Sequence, residues 1–192
     1  MLEDIKTLRE ETGAGVVDVK TALEEAGGDM DAARDILRKR GQAKALKKAD
    51  RETSEGYIGV YVHANGKMAA MVMLQCETDF VARNEEFQAL AKDLAMHVVA
   101  SDPRVIAPED VEDELVERER SIWKEQLVAE GKSEDIMEKI LEGKEKKFRE
   151  ENALLSQSFV KDPERTVQDV ITAAVAKIGE KIVVARFIRY AL

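Results

Sequence analysis

The hydrophobic period of this chain changes once, at Gly56, and that change constrains the fold more than any other feature. Before it, apolar residues recur every three or four positions: Ile5 and Leu8, then Val16, Val19, Ala22, Leu23 and Ala26, then Ala33, Ile36 and Leu37. After it, "GYIGVYVH" alternates, with Ile58, Val60 and Val62 on one face and Tyr57, Tyr61 and His63 on the other. Asn65-Gly66 is a strong hairpin signal, and Lys67 to Gln75 returns as a second strand. Ala70, Val72, Leu74 and Cys76 fall on one side of that strand, and Ala69, Met71 and Met73 on the other. Apolar residues on both sides predict a central strand covered on both faces.

The punctuation between apolar runs sets the order of elements. "TGAG" (Thr12 to Gly15) breaks the first helix from the second, Gly27 and Gly28 stop the second, and Asp29 or Asp31 caps the third. Residues 1–40 are therefore expected to form a three-helix N-terminal module with a very small core of its own. "RKRGQAKALKKADRETSEG" continues as a helix tail and then a polar linker, placed at 41–55. Beyond the hairpin, Asn84 caps a helix whose buried face is Phe87, Leu90, Ala91, Leu94 and Val98. Pro108 is expected to open another helix, through Leu115, Ile122, Trp123 and Leu127, which Gly131 ends. Ser133 is expected to cap its partner, carrying Ile136, Met137, Ile140, Leu141 and Phe148, so that about 108–150 forms a helical hairpin. Thr166 caps a last helix, Gly179 ends it, and "KIVVARFIRYAL" must pair with the hairpin strands to avoid an exposed apolar edge. The expected class is α+β: the helical module, the linker, and a domain over 56–192 with a three-stranded antiparallel sheet.

Charge narrows the function classes. A net charge of −9 argues against broad nucleic-acid binding and against adhesion to an anionic membrane. The bases from Arg38 to Arg51 are the segment able to touch RNA, but no aromatics are interleaved to stack bases, which favours a solvated linker. No apolar run approaches the ~20 residues of a bilayer span, and the amino terminus carries no signal-type stretch, so a cytoplasmic location is expected. Cys76 is the only cysteine, best placed as a buried reduced thiol. Catalytic sets are equally scarce. His63 and His97 are the only histidines, both simplest as structural residues, and "TGAG" and "AGGD" lack the spacing and lysine of a phosphate loop. No zinc set or isolated acid pair stands out, so neither an enzyme nor a cofactor or metal is expected.

One stretch remains unabsorbed: "CETDFVARN", Cys76 to Asn84, driven off the end of the apolar strand. Two readings stay open from spacing alone. In one, Thr78 or Asp79 caps free backbone N–H groups while Phe80 packs inside. Alternatively a turn presents Asp79 and Phe80 outward, a charge beside an aromatic wedge of the kind that anchors protein interfaces.

At this point the chain shows a family resemblance. "LREETGAGVVDVKTALEEAGGDMDAARDILRKRG" resembles the N-terminal module of bacterial elongation factor Ts proteins, whose helices are similar to ubiquitin-associated domains. "CETDFVARNEEF" resembles that family's second signature, "AKALKKADRETSEG" its linker, and "AKIGEKIVVARFIRYAL" its last helix and strand. Val19, Thr21, Gln75, Lys181 and Ala185 depart from residues common among relatives. The resemblance implies a guanine-nucleotide exchange factor whose partner is the GTPase elongation factor Tu. It also implies that Thr78, Asp79, Phe80 and Val81 form the turn that intrudes near the partner's Mg²⁺ and phosphate site. Leu8, Arg9, Thr12, Gly13 and Val16 would dock the N-terminal module on the same GTPase domain. A homodimer through a free sheet face is also open, as is a rival role as a ubiquitin-associated-like adaptor without exchange activity.

Overall fold

In the computed structural model, which describes residues 2–192, three helices come first: α1 (Leu2–Thr12), α2 (Val16–Glu25) and α3 (Met30–Leu46). Met1, the first residue of the expected N-terminal module, lies outside the described residues. Leu8, Val19, Ala22, Leu23, Ala33 and Leu37 close their core. Asp29 starts α3 as expected, its Oδ1 accepting from Asp31 N and Ala32 N at 2.9 and 3.0 Å. Residues 41–46, expected within the linker, are helical instead. Gly41 sits where a Cβ would lie 3.4 Å from Ala176, and Lys48 Nζ donates to Gly179 O at 2.7 Å, so contacts with a later helix sustain the extension.

The main sheet is antiparallel in the order β1 (Glu55–Val62), β2 (Met68–Cys76), β5 (Val183–Ala191), with β2 central. The fold is therefore α+β, as expected. The turn is longer than a two-residue hairpin: His63 N donates to Met68 O at 2.8 Å across Ala64–Lys67, and Asn65 Oδ1 accepts from Lys67 N. One face of the sheet carries the core. Ala70, Val72, Leu74 and Cys76 of β2 lie there, beneath α5 (Glu85–Ser101), which contributes Phe87, Leu94, Ala95 and Val98, and α8 (Val167–Ile178), which contributes Ile171 and Val175. Gly59 of β1 permits the closest approach, since a Cβ there would lie 2.2 Å from the Ala91 backbone.

The opposite face is open, which corrects the expectation of a strand covered on both sides. Met71 and Met73 of β2 are exposed beside Ile58, Val60 and Val62 of β1 and Ile188 of β5. Two-sided apolarity was a sound signal that β2 is central, but among the described residues no element covers its second face.

Between α5 and α8 stands a hairpin of α6 (Asp113–Ala129) and α7 (Glu134–Asn152), closed by Leu127, Met137 and Leu141 against Trp123 and Ile140. Pro108 does not open α6. It begins a separate short 3-10 turn, Pro108–Asp110, and the helix starts only at Asp113. Ser133 stands before α7 but makes no side-chain capping bond. A small two-stranded sheet, β3 (Ser158–Phe159) and β4 (Asp162–Thr166), leads into α8, where Thr166 and Asp169 cap each other's backbone N–H groups.

Candidate partner-binding site

The site begins where the sheet ladder ends. The last pair between β2 and β5 near this end is Gln75 with Val183, so the backbone N–H groups of Glu77, Thr78 and Lys181 have no strand to donate to. Two carboxylates replace the missing ladder. Glu180 Oε2 accepts from Glu77 N at 3.1 Å and Thr78 N at 3.0 Å, while its Oε1 accepts from the Thr78 hydroxyl at 2.7 Å. Glu77 returns the contact: its Oε1 accepts from Lys181 N at 2.6 Å, and both its oxygens face Arg51 Nη1 at 3.1–3.2 Å. The Lys181 N–H, followed by Arg51, holds the Glu77 carboxyl below the usual carboxylate range. Cys76 sits beneath this exit with its Sγ 3.2 Å from Thr78 O, and burial, then the charge of Glu180, pushes its thiol up to about 11.

On this mount stands a single helical turn, α4 (Asp79–Ala82). Thr78 is its N-cap, the hydroxyl oxygen accepting from Val81 N at 3.4 Å. Ala82 is buried and Val81 half-buried against the main core, which uses up the inward side of so short a helix. Phe80 consequently points away and is 83% exposed. Asp79 is half-buried and faces Arg83 at 3.1 Å. Asn84 then caps α5, accepting from Glu86 N at 2.8 Å, and Gln88 Nε2 donates to Ala82 O at 3.1 Å, which pins the far end of the turn. Of the two readings that spacing left open, one part of each holds: Thr78 caps, as in the first, and Phe80 faces solvent, as in the second, rather than packing inside. Phe87, with no exposure, is the phenylalanine of this region that fills the core.

The N-terminal residues fall into two kinds. Leu8 has no exposed surface and closes the module's core, so its role there is packing. Thr12 Oγ1 donates to Leu8 O and accepts from Ala14 N, shaping the turn between α1 and α2. Arg9 and Val16 are exposed, Val16 leaving the buried helix face on which the period had put it. Gly13 adopts φ +67° where a Cβ would lie 2.6 Å from Lys177 Cδ. Lys177 thereby links the two regions: its stem lies on Gly13, and its ammonium meets Glu86 in the first turn of α5 at 2.6 Å.

A cleft of about 490 Å³ runs between the module and α8, lined by Thr12, Asp18, Arg34, Lys44, Arg165 and Lys177 among others. Its cations are largely spoken for: Arg34 pairs with Glu11, Lys44 with Asp18, Lys177 with Glu86. Among the described residues no cluster of three or more His, Cys, Asp or Glu could hold a metal ion, and no helix is long and apolar enough to cross a membrane.

Comparison with known proteins fits this geometry to a family. The sequence model of the family described as Elongation factor TS matches residues 19–192. The chain belongs to the elongation factor Ts family. Elongation factor Ts of Thermosipho melanesiensis is 55% identical over 186 residues, covering 97% of this chain and 95% of that protein. Its counterpart from Rubrobacter xylanophilus is 51% identical over 191 residues, covering 100% and 98%, and that of Moorella thermoacetica 50% over 187 residues, covering 97% and 92%. Leu8, Arg9, Thr12, Gly13 and Val16 precede the segment that the elongation factor Ts model matches, whereas all four residues from Thr78 to Val81 lie inside it.

Sequence reasoning missed two features of the site. Glu180 and Glu77 carry no local signal, because the backbone N–H groups they bind are 102 to 104 residues away in the chain. Val17, 78% exposed beside Val16, went unremarked, because the run of apolar residues that follows drew the start of α2, at Val16, onto the buried face.

Proposed function

We propose that this chain is a guanine-nucleotide exchange factor that binds GDP-loaded elongation factor Tu, disturbs its Mg²⁺ and phosphate site, and promotes GDP release during translation elongation in the cytoplasm. The observation that carries this reading is Phe80, a large apolar ring held 83% exposed on a turn braced at both ends. An exposed aromatic on a rigid mount is costly to leave in water and well suited to enter a partner's groove. Asp79 beside it brings a negative charge that competes with phosphate for Mg²⁺ and repels the phosphate itself, so the intruding pair loosens the ion's bridge to the nucleotide. Exchange by this route needs no catalytic group of the factor's own. Factor and nucleotide oppose each other's binding, and linkage makes the antagonism mutual, with a coupling of ~3 kcal/mol weakening nucleotide binding roughly 150-fold. Arg9, Val16 and Val17, exposed on the N-terminal module, supply a second contact that holds the GTPase domain while the turn works.

The open face of the sheet supports a further element of this reading, a homodimer in which two such faces cover each other.

The deciding experiment is release of a fluorescent GDP analogue from elongation factor Tu, with excess unlabelled GDP and this protein titrated from substoichiometric amounts. Acceleration with turnover is expected. Phe80→Ala is expected to lower the release rate roughly 30-fold or more while leaving the melting temperature within about 2 °C, since an exposed side chain is removed. Absence of acceleration by the folded wild-type protein would overturn the reading.

A further inference from the structure

We infer that Glu180 is a positioning residue for nucleotide release, setting the direction in which the Asp79–Phe80 turn leaves the sheet; this rests on the exchange reading above. Phe80 gains no orientation from packing of its own, being 83% exposed, so the ring inherits its direction from the backbone of residues 77–81. The far side of that segment is fixed by the burial of Ala82 and by Asn84 and Gln88. The near side is held by Glu180.

One carboxylate there takes three donors, Glu77 N, Thr78 N and the Thr78 hydroxyl. The same hydroxyl oxygen then accepts from Val81 N, so a continuous chain of hydrogen bonds runs from Glu180 through Thr78 into the body of α4. Charge-assisted bonds of this kind are short and directional. With both oxygens occupied, the side chain has little rotamer freedom left to share with the turn. Glu180 is delivered to this place by the end of α8. Gly179 takes the left-handed conformation at the C-cap, φ 89°, reversing the chain so that the next residue faces the exit of β2. The neighbouring Lys181 secures the same junction from the other side, its N–H on Glu77 and its Nζ on Arg51 O at 2.8 Å.

A clamp that only added stability would show in unfolding and leave the exchange step unchanged. A clamp that aims the turn acts on the step in which Phe80 enters the partner, and so on the maximal release rate more than on the concentration giving half of it. Glutamine at this position still offers an oxygen to the two backbone N–H groups, whereas aspartate keeps the charge but falls one methylene short.

The test compares wild type, Glu180→Ala, Glu180→Gln, Glu180→Asp and Phe80→Ala in fluorescent-GDP release from elongation factor Tu, with melting temperatures and amide hydrogen exchange measured on each. Glu180→Ala is expected to lower the maximal rate roughly tenfold with the half-saturating concentration changed less than about threefold. Amide exchange at Glu77, Thr78 and Val81 should quicken in that variant, and Glu180→Gln should retain most of the rate. Glu180→Asp should fall with Glu180→Ala, and it carries the test if the alanine variant does not fold. A wild-type maximal rate in Glu180→Ala or Glu180→Asp overturns the inference, as does a Gln variant as impaired as Ala. If Phe80→Ala is defective while the Glu180 variants are not, only the positioning role falls. If wild type does not accelerate release, the exchange reading fails and takes this one with it.

Discussion

His97 has no exposed surface, and both of its ring nitrogens are engaged. Nδ1 accepts from Val160 N at 3.2 Å, which leaves Nε2 to donate to Gln157 Oε1 at 3.0 Å, with Phe159 packed 5.9 Å away. Burial lowers the proton affinity of the ring, and the bond to Gln157 only partly offsets it. A second proton would have to sit on Nδ1, facing the N–H it now accepts. The folded state therefore keeps His97 neutral while the unfolded chain begins to bind a proton below about pH 6.5. Stability should be full above that pH and decline as pH falls toward the lowered folded value. The melting temperature is expected to drop between about pH 7.5 and pH 5.5, and His97→Gln, less stable throughout, should show a flatter profile over the same range. An equal slope in both proteins would rule out the histidine as its source. Its structural role was legible from its place on the apolar helix. The sidedness of Phe80 was not, because a four-residue turn has too few positions to define a period, whereas Phe87 fell on the buried face of its helix as its spacing predicted.

At the scale of elements, glycines with opposite surroundings give opposite expectations. Gly59 of β1 faces the Ala91 backbone of α5, where an added Cβ would meet carbon and oxygen at 2.2 Å, and neither can swing aside as a side chain could. Gly59→Ala must push the helix off the sheet and is expected to cost about 3 kcal/mol or more. Gly143 lies exposed within α7 with nothing within 4 Å of a new Cβ, so Gly143→Ala should stabilise by roughly 0.5–1 kcal/mol. Urea unfolding of the two variants checks both signs, and a neutral Gly59→Ala would mean that the strand and helix can separate freely. The caps at Asp29, Asn84 and Thr166 were readable because the acceptor and the N–H groups it serves lie within a few residues. The end of α3 was not. What carries it past Arg40 is Ala176 of α8 and Gly179 at that helix's C-cap, more than 130 residues downstream, and polar composition alone made the stretch look like linker.

For the molecule as a whole, the unsolved element is the open face of the sheet. The register aligns its apolar residues into rows across three strands: Val60, Met71 and Ile188 in one, Val62, Ala69 and Tyr190 in the next, with Ile58 beside Met73. Ile58, Val60 and Val62 are 53%, 50% and 59% exposed, and Met71 is 44% exposed. Such a contiguous patch is unusual on a monomer and marks an interaction surface. The apolar pattern along β2 announced that something covers this face, but a sequence does not say whether the cover is another part of the same chain or a second copy. Two identical faces stacked about 10 Å apart would form the second layer that the sheet lacks. With a net charge of −9 the copies repel at long range, so the contact must rest on this patch. Wild-type protein is expected to sediment as a dimer at micromolar concentration. Met71→Glu, at the centre of the middle strand's exposed face, should sediment as a folded monomer, because the charge is tolerated in water and forbidden between two sheets. A wild-type monomer at every concentration, or an undisturbed dimer in Met71→Glu, would show that this face is not where two copies meet.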